Sequence, residues 1–143
     1  MDKLCEERLV REFPMLYREY KREGSCMSWG FTVGQGWFPI VYELSREIEQ
    51  AAEKFGVTNL VYMVQVKEKF GMGRFAVRVG TEDQREEAGS SLDVASAHIQ
   101  ALCREAENKT KTVCELCAKP GTLIKDGWWR VRCVKCEEEK KCI

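Results

Sequence analysis

Cys114-Glu-Leu-Cys117-Ala-Lys-Pro-Gly-Thr-Leu-Ile-Lys-Asp-Gly-Trp-Trp-Arg-Val-Arg-Cys133-Val-Lys-Cys136 is the stretch that decides how this chain is built. It holds two C-x-x-C pairs separated by fifteen residues. Two intervening residues let a tight turn aim both thiolates of a pair at one cation about 2.3 Å away. The spacer is long enough to return the second pair beside the first. Pro120-Gly121 turns, residues 122–124 extend, Lys125-Asp126-Gly127 turns, and residues 128–132 extend back. The spacing is that of a four-cysteine zinc ribbon with ligands Cys114, Cys117, Cys133 and Cys136. Four thiolates close the coordination sphere, so the expected metal is one structural Zn2+ with no catalytic water. Cys142, six residues beyond Cys136, is the reserve ligand if Cys136 turns away.

Upstream of the ribbon the polar run Asn108-Lys-Thr-Lys-Thr112 reads as a linker, and before it lies a helical stretch. Thr81 with Gln84 is a capping-box signature for a helix at about 82–107. Ala88, Leu92, Ala95, Ile99, Leu102 and Ala106 form its apolar stripe. Seven acids against two bases over residues 82–107 leave this helix at −5, while seven bases against two acids over 109–136 leave the ribbon at +5. Further upstream, residues 60–69 alternate as a strand, Phe70-Gly71-Met72-Gly73 turns, and residues 74–79 return, a hairpin at about 60–79. A helix at about 38–55 carries Trp37, Val41, Leu44, Ile48, Ala51 and Phe55 on one face and closes at Gly56. An N-terminal helix at about 3–22 contains Pro14, which ends or kinks it near Phe13. Between these two helices the loop from Gly24 to Pro39 is rich in glycine and tryptophan and is expected to pack on the body.

The fold class that follows is α+β: three helices packed on a β-hairpin, then a C-terminal four-cysteine zinc ribbon. The body is assigned to residues 1–109, and the ribbon with its charged tail to 110–143. At 44% hydrophobic and 32% charged residues, with zero net charge, the chain reads as globular and as no general polyanion binder. No apolar run reaches a membrane span. The start, Met-Asp-Lys-Leu-Cys-Glu-Glu, shows no signal peptide. Paired cysteines without an export signal point to metal-bound thiolates in a reducing cytoplasm.

The C-terminal motif, the Trp29-Gly-Phe and Gly34-Gln-Gly-Trp-Phe segments and Gln65-Val-Lys-Glu-Lys-Phe-Gly71 together resemble a widespread, mostly uncharacterised family of small bacterial, phage and prophage proteins. Those proteins end in a C-x-x-C…C-x-x-H pattern. The matches run in order from about residue 26 to 136. Ala118 stands where the family has glycine, Met72-Gly73 departs from its hairpin, and Cys136 stands where it has histidine, which keeps a zinc ligand. The resemblance implies an intact fold with a zinc site, and its frequent phage setting places the chain in a host cytoplasm if it is phage-encoded.

Candidate recognition residues fall in two groups. Trp128, Arg130 and Arg132 share one face by the two-residue period of a strand, so they touch a partner together; alternatively both tryptophans pack the ribbon onto the body. Lys67, Lys69 and Arg74, with Arg78, make the hairpin basic. The glycine pairs Gly34-Gln-Gly36 and Gly71-Met-Gly73 read as turn glycines, not as phosphate loops. His98, the single histidine, flanks an apolar stripe with no nucleophile to serve. Cys5, Cys26 and Cys103 read as packing residues. These readings favour a protein-interaction module, such as a phage or prophage accessory or anti-defence inhibitor of a host or bacterial protein, over a nucleic-acid-binding ribbon. An enzyme ranks last.

Overall fold

The fold is seen in a computed structural model that describes residues 1–141, with side chains through Glu139. Helix α1 spans Lys3–Glu12; the Asp2 side chain caps it by accepting from the Cys5 amide at 2.8 Å. It stops at Glu12 and does not run to 22, because Pro14 cannot continue the ladder. The turns that follow still bury Leu16 and Tyr17. Helix α2 spans Phe38–Lys54, with Pro39 in its first turn, and buries Val41, Leu44, Ile48 and Ala51 on one face.

Strands β1 (Val61–Lys69) and β2 (Met72–Val79) form an antiparallel hairpin. Its turn is tighter than the four-residue turn expected: Phe70 and Gly71, at φ 54° and 69°, make a two-residue turn of the type I′ class. The register also slips once. Met63 faces Val77 and Gln65 faces Ala76, which leaves Val64 as a bulge residue. The bulge keeps Val61, Met63 and Val66 all in the core, which strict alternation would forbid. Phe75, Val77 and Val79 of β2 face the same core.

The single helix expected at 82–107 is two. Thr81 and Gln84 do form the capping box, opening α3 (Glu82–Ala88). Gly89, at φ 61° and ψ −145°, then breaks the ladder before α4 (Ser90–Thr110) begins. Helix α3 buries no residue, whereas α4 lies across β2 and against α2 through Leu92, Ala95, Ile99, Cys103 and Ala106.

Both outer edges of the hairpin are occupied. On the β1 side the Met63 amide donates to the Leu16 carbonyl at 2.7 Å, and Thr32 exchanges bonds with Val66 and Glu68 at 3.1 and 3.0 Å. On the β2 side the partners are side chains. Thr110 Oγ1 accepts from the Gly73 amide at 2.9 Å and Glu107 from the Phe75 amide at 3.0 Å. Gln100 and Arg85 donate to the carbonyls of Val77 and Val79 at 3.0 and 3.2 Å.

A second, smaller antiparallel pair, β3 (Thr122–Ile124) and β4 (Arg130–Arg132), follows the linker. Where a charged tail was expected there is a fifth helix, α5 (Val134–Lys141). Val131 of β4 is fully buried in the same core cluster as Leu9, Trp37 and Val66, so the ribbon shares the body's core. Among the described residues no helix is long and apolar enough to cross a membrane.

Candidate metal centre and the cleft beside it

The chain folds so that Cys114, Cys117, Cys133 and Cys136 converge, their sulfurs all within 4.8 Å of one another. A tetrahedron of thiolates about 2.3 Å from a zinc has sulfur–sulfur edges of about 3.8 Å, and the Cys117–Cys133 separation of 3.6 Å matches it. The same distance is far too long for a disulfide. The four donors therefore fit a tetrahedral metal ion, which they can hold as an all-thiolate site. Cys142 lies outside the described residues.

Two different structures present the two pairs. Cys114 and Cys117 flank a knuckle closed by the Ala118 amide donating to the Cys114 carbonyl at 3.1 Å and the Cys114 amide to the Lys119 carbonyl at 2.7 Å. Ala118 sits at φ 64°, in the left-handed region that glycine favours. Cys133 immediately precedes α5 and Cys136 lies in its first turn. Burial alone pushes the Cys114 thiol up, but the backbone amides of Cys133, Leu116 and Cys117 outweigh it and bring the thiol down to about 7. Cys136 moves the other way, up to about 12, first through sharing a proton with Cys117 and Cys133 and then through burial.

The loop read as turn glycines is the seat of this knuckle. The Gly36 amide donates to the Glu115 carbonyl at 2.7 Å. A Cβ on Gly36 would stand 2.1 Å from the Cys114 carbonyl oxygen, and one on Gly34 would stand 2.1 Å from that of Glu115. Trp37 is fully buried, and its indole N–H donates to the Val113 carbonyl at 2.8 Å. The glycines at 34 and 36 are thus demanded by close backbone approach, which the sequence signals only through their spacing just before the bulky Trp37.

Arg130 and Arg132 do not share a surface with Trp128. Gly127, at φ 75°, opens a bend that keeps Trp128 out of β4, so the two-residue period does not extend to it. Arg132 donates to Glu115 at 3.2 Å and to Glu137 at 3.3 Å. Arg130 pairs with Glu137 through two nitrogens and with Asp126 at 2.9 Å. Their side chains are only 15% and 12% exposed, so these charges are spent inside the ribbon. The network ties the knuckle (Glu115), β4 and α5 (Glu137) around the cysteines, a role that sequence reading missed because it needs three elements to meet.

The other candidates do meet. Gly127, Trp128 and Trp129 of the ribbon face Thr32, Gln65, Lys67, Glu68, Lys69 and Phe70 of the body across an open cleft of about 910 Å³. Trp128 is 78% exposed and Phe70 66%. Phe70 and Trp129 meet edge to face with centroids 6.1 Å apart, and the Lys125 ammonium lies 4.7 Å from the Trp129 ring centre. Arg74 lies beyond the cleft lining, 3.4 Å from Glu107. His98 is exposed beside Phe55. Cys103 is buried, with its thiol pushed up to about 12 by burial, and Cys26 is exposed.

Comparison of the chain with known protein families, with curated proteins and with solved structures finds no match.

Proposed function

We propose that this chain is a zinc-braced protein-binding module whose recognition surface is the cleft between the hairpin and the ribbon. The observation that carries the reading is the cluster of Trp128, Trp129 and Phe70 around that cleft, with the Trp128 indole 78% exposed. Large aromatic side chains left in water beside a concavity are what protein interfaces use as anchors. Zinc is the metal that an all-cysteine tetrahedral set suits best, and when bound it supplies a crosslink between the knuckle and the start of α5. The resemblance to phage and prophage proteins supports a bacterial host protein as the partner. A second reading, binding of nucleic acid, is favoured by Lys67, Lys69 and Lys125 standing next to the aromatic side chains.

The test is the affinity of a partner captured from nuclease-treated bacterial lysate and then purified. Trp128→Ala weakens it at least tenfold with metal content and melting profile unchanged, and binding persists in the absence of nucleic acid. Affinity that Trp128→Ala leaves intact would end this reading. Affinity that depends on nucleic acid and falls steeply with salt would establish the second.

A further inference from the structure

The cleft carries a charge pattern that narrows what enters it. On the solvent face of the hairpin Lys67 stands opposite Arg74 in the β1–β2 register; both are exposed, and Arg74 reaches away from the cleft to Glu107 at 3.4 Å. Like charges directly opposite destabilise a ladder. Lys69 lies on the same face two residues along, about 6.8 Å away by the rise of a strand. Glu68, between the two lysines in sequence, points to the opposite face by the two-residue period of a strand, and its carboxylate turns to accept the Gly71 amide at 2.6 Å. The cleft therefore has a cationic rim on the hairpin side and an aromatic wall on the ribbon side.

We infer that the occupant is an extended acidic segment of a partner protein. Two carboxylates at alternate positions face Lys67 and Lys69, and an adjoining aromatic or aliphatic side chain rests on Trp128. Alternate residues of an extended peptide repeat at the same distance as the two lysines, so both ion pairs form without bending either chain. A polynucleotide fits less well. Arg130 and Arg132 of the ribbon are already held by Glu115, Asp126 and Glu137, so neither arginine adds a phosphate contact to the cleft.

The inference rests on the binding reading above, and its test separates the two. The metal-loaded full chain is used to select from a random dodecapeptide library and, in parallel, from a random single-stranded DNA library. Enriched peptides are expected to share two acids two residues apart beside an aromatic or aliphatic residue. The best of them, made as a free peptide, should bind at least tenfold more weakly to Lys67→Glu/Lys69→Glu protein of unchanged circular dichroism and metal content. Neutral or basic winners, no enrichment, or full binding by the double variant would overturn the inference, as would enrichment of DNA alone. A captured partner that still depends on Trp128 would leave the binding reading standing in each of those cases except the last.

Discussion

The indole N–H of Trp37 donates to the carbonyl of Val113 at 2.8 Å, joining the start of α2 to the residue just before the first metal ligand. Because Trp37 is fully buried and the other three tryptophans are not, it reports on the ribbon from inside the body. Removing the metal with a chelator is expected to shift tryptophan emission to the red while most helical circular dichroism remains. The shift should vanish in Trp37→Phe protein. Metal loss with no spectral change would show that the knuckle and the Gly34–Trp37 loop part company without consequence.

Two small substitutions near the knuckle should act in opposite directions. Gly36→Ala drives a methyl against the Cys114 carbonyl and should cost about 2–3 kcal/mol by overpacking, with weaker metal retention. Ala118→Gly relieves a left-handed alanine and should stabilise by about 1 kcal/mol. Denaturant midpoints of the metal-loaded proteins measure both. A neutral Gly36→Ala would mean that the close approach is not kept in solution.

The Arg132 side chain is only 12% exposed and is held by Glu115 and Glu137 beside the metal ligands. Arg132→Ala should therefore weaken metal binding by about tenfold, as loss of an orienting partner commonly does, while leaving Trp128 as exposed as before. The measurement is competition against a metal-binding dye. Unchanged metal affinity together with lost partner binding would return Arg132 to the recognition surface.

Metal binding needs thiolates, so protons compete with it. Cys136, raised to about 12, gives up its proton when metal binds at any ordinary pH, so affinity should rise at least tenfold per pH unit across the neutral range. Cys114, lowered to about 7, adds a further displaced proton below that pH, so the profile should steepen there. Dye competition from pH 5.5 to 9 tests this. A flat profile would show that the thiols are already ionised in the metal-free chain.

Much of this architecture was legible in the residues, and the gaps have physical causes. The four cysteines could be named because metal chemistry restricts their spacing, and Pro14 and the Thr81–Gln84 pair act locally. The break at Gly89 was hidden because the apolar stripe runs on either side of it, from Ala88 to Leu92. Helix α5 was missed because it has no apolar face; Cys136 and the arginine-bound Glu137 lie in its first turns. The Val64 bulge leaves no mark on a pattern of valines. As for the cleft, Trp128 and Lys67 could each be singled out, but that they face one another is a fact of tertiary folding.

The closed edges of the hairpin constrain how any partner approaches. Main-chain groups of β1 are taken by Leu16 and Thr32, and those of β2 by Thr110, Glu107, Gln100 and Arg85. A guest strand finds no row of free amides and carbonyls there to extend the sheet. Discrimination among guests thus falls to side chains, and few substitutions at the rim would be enough to retarget the molecule without disturbing its scaffold.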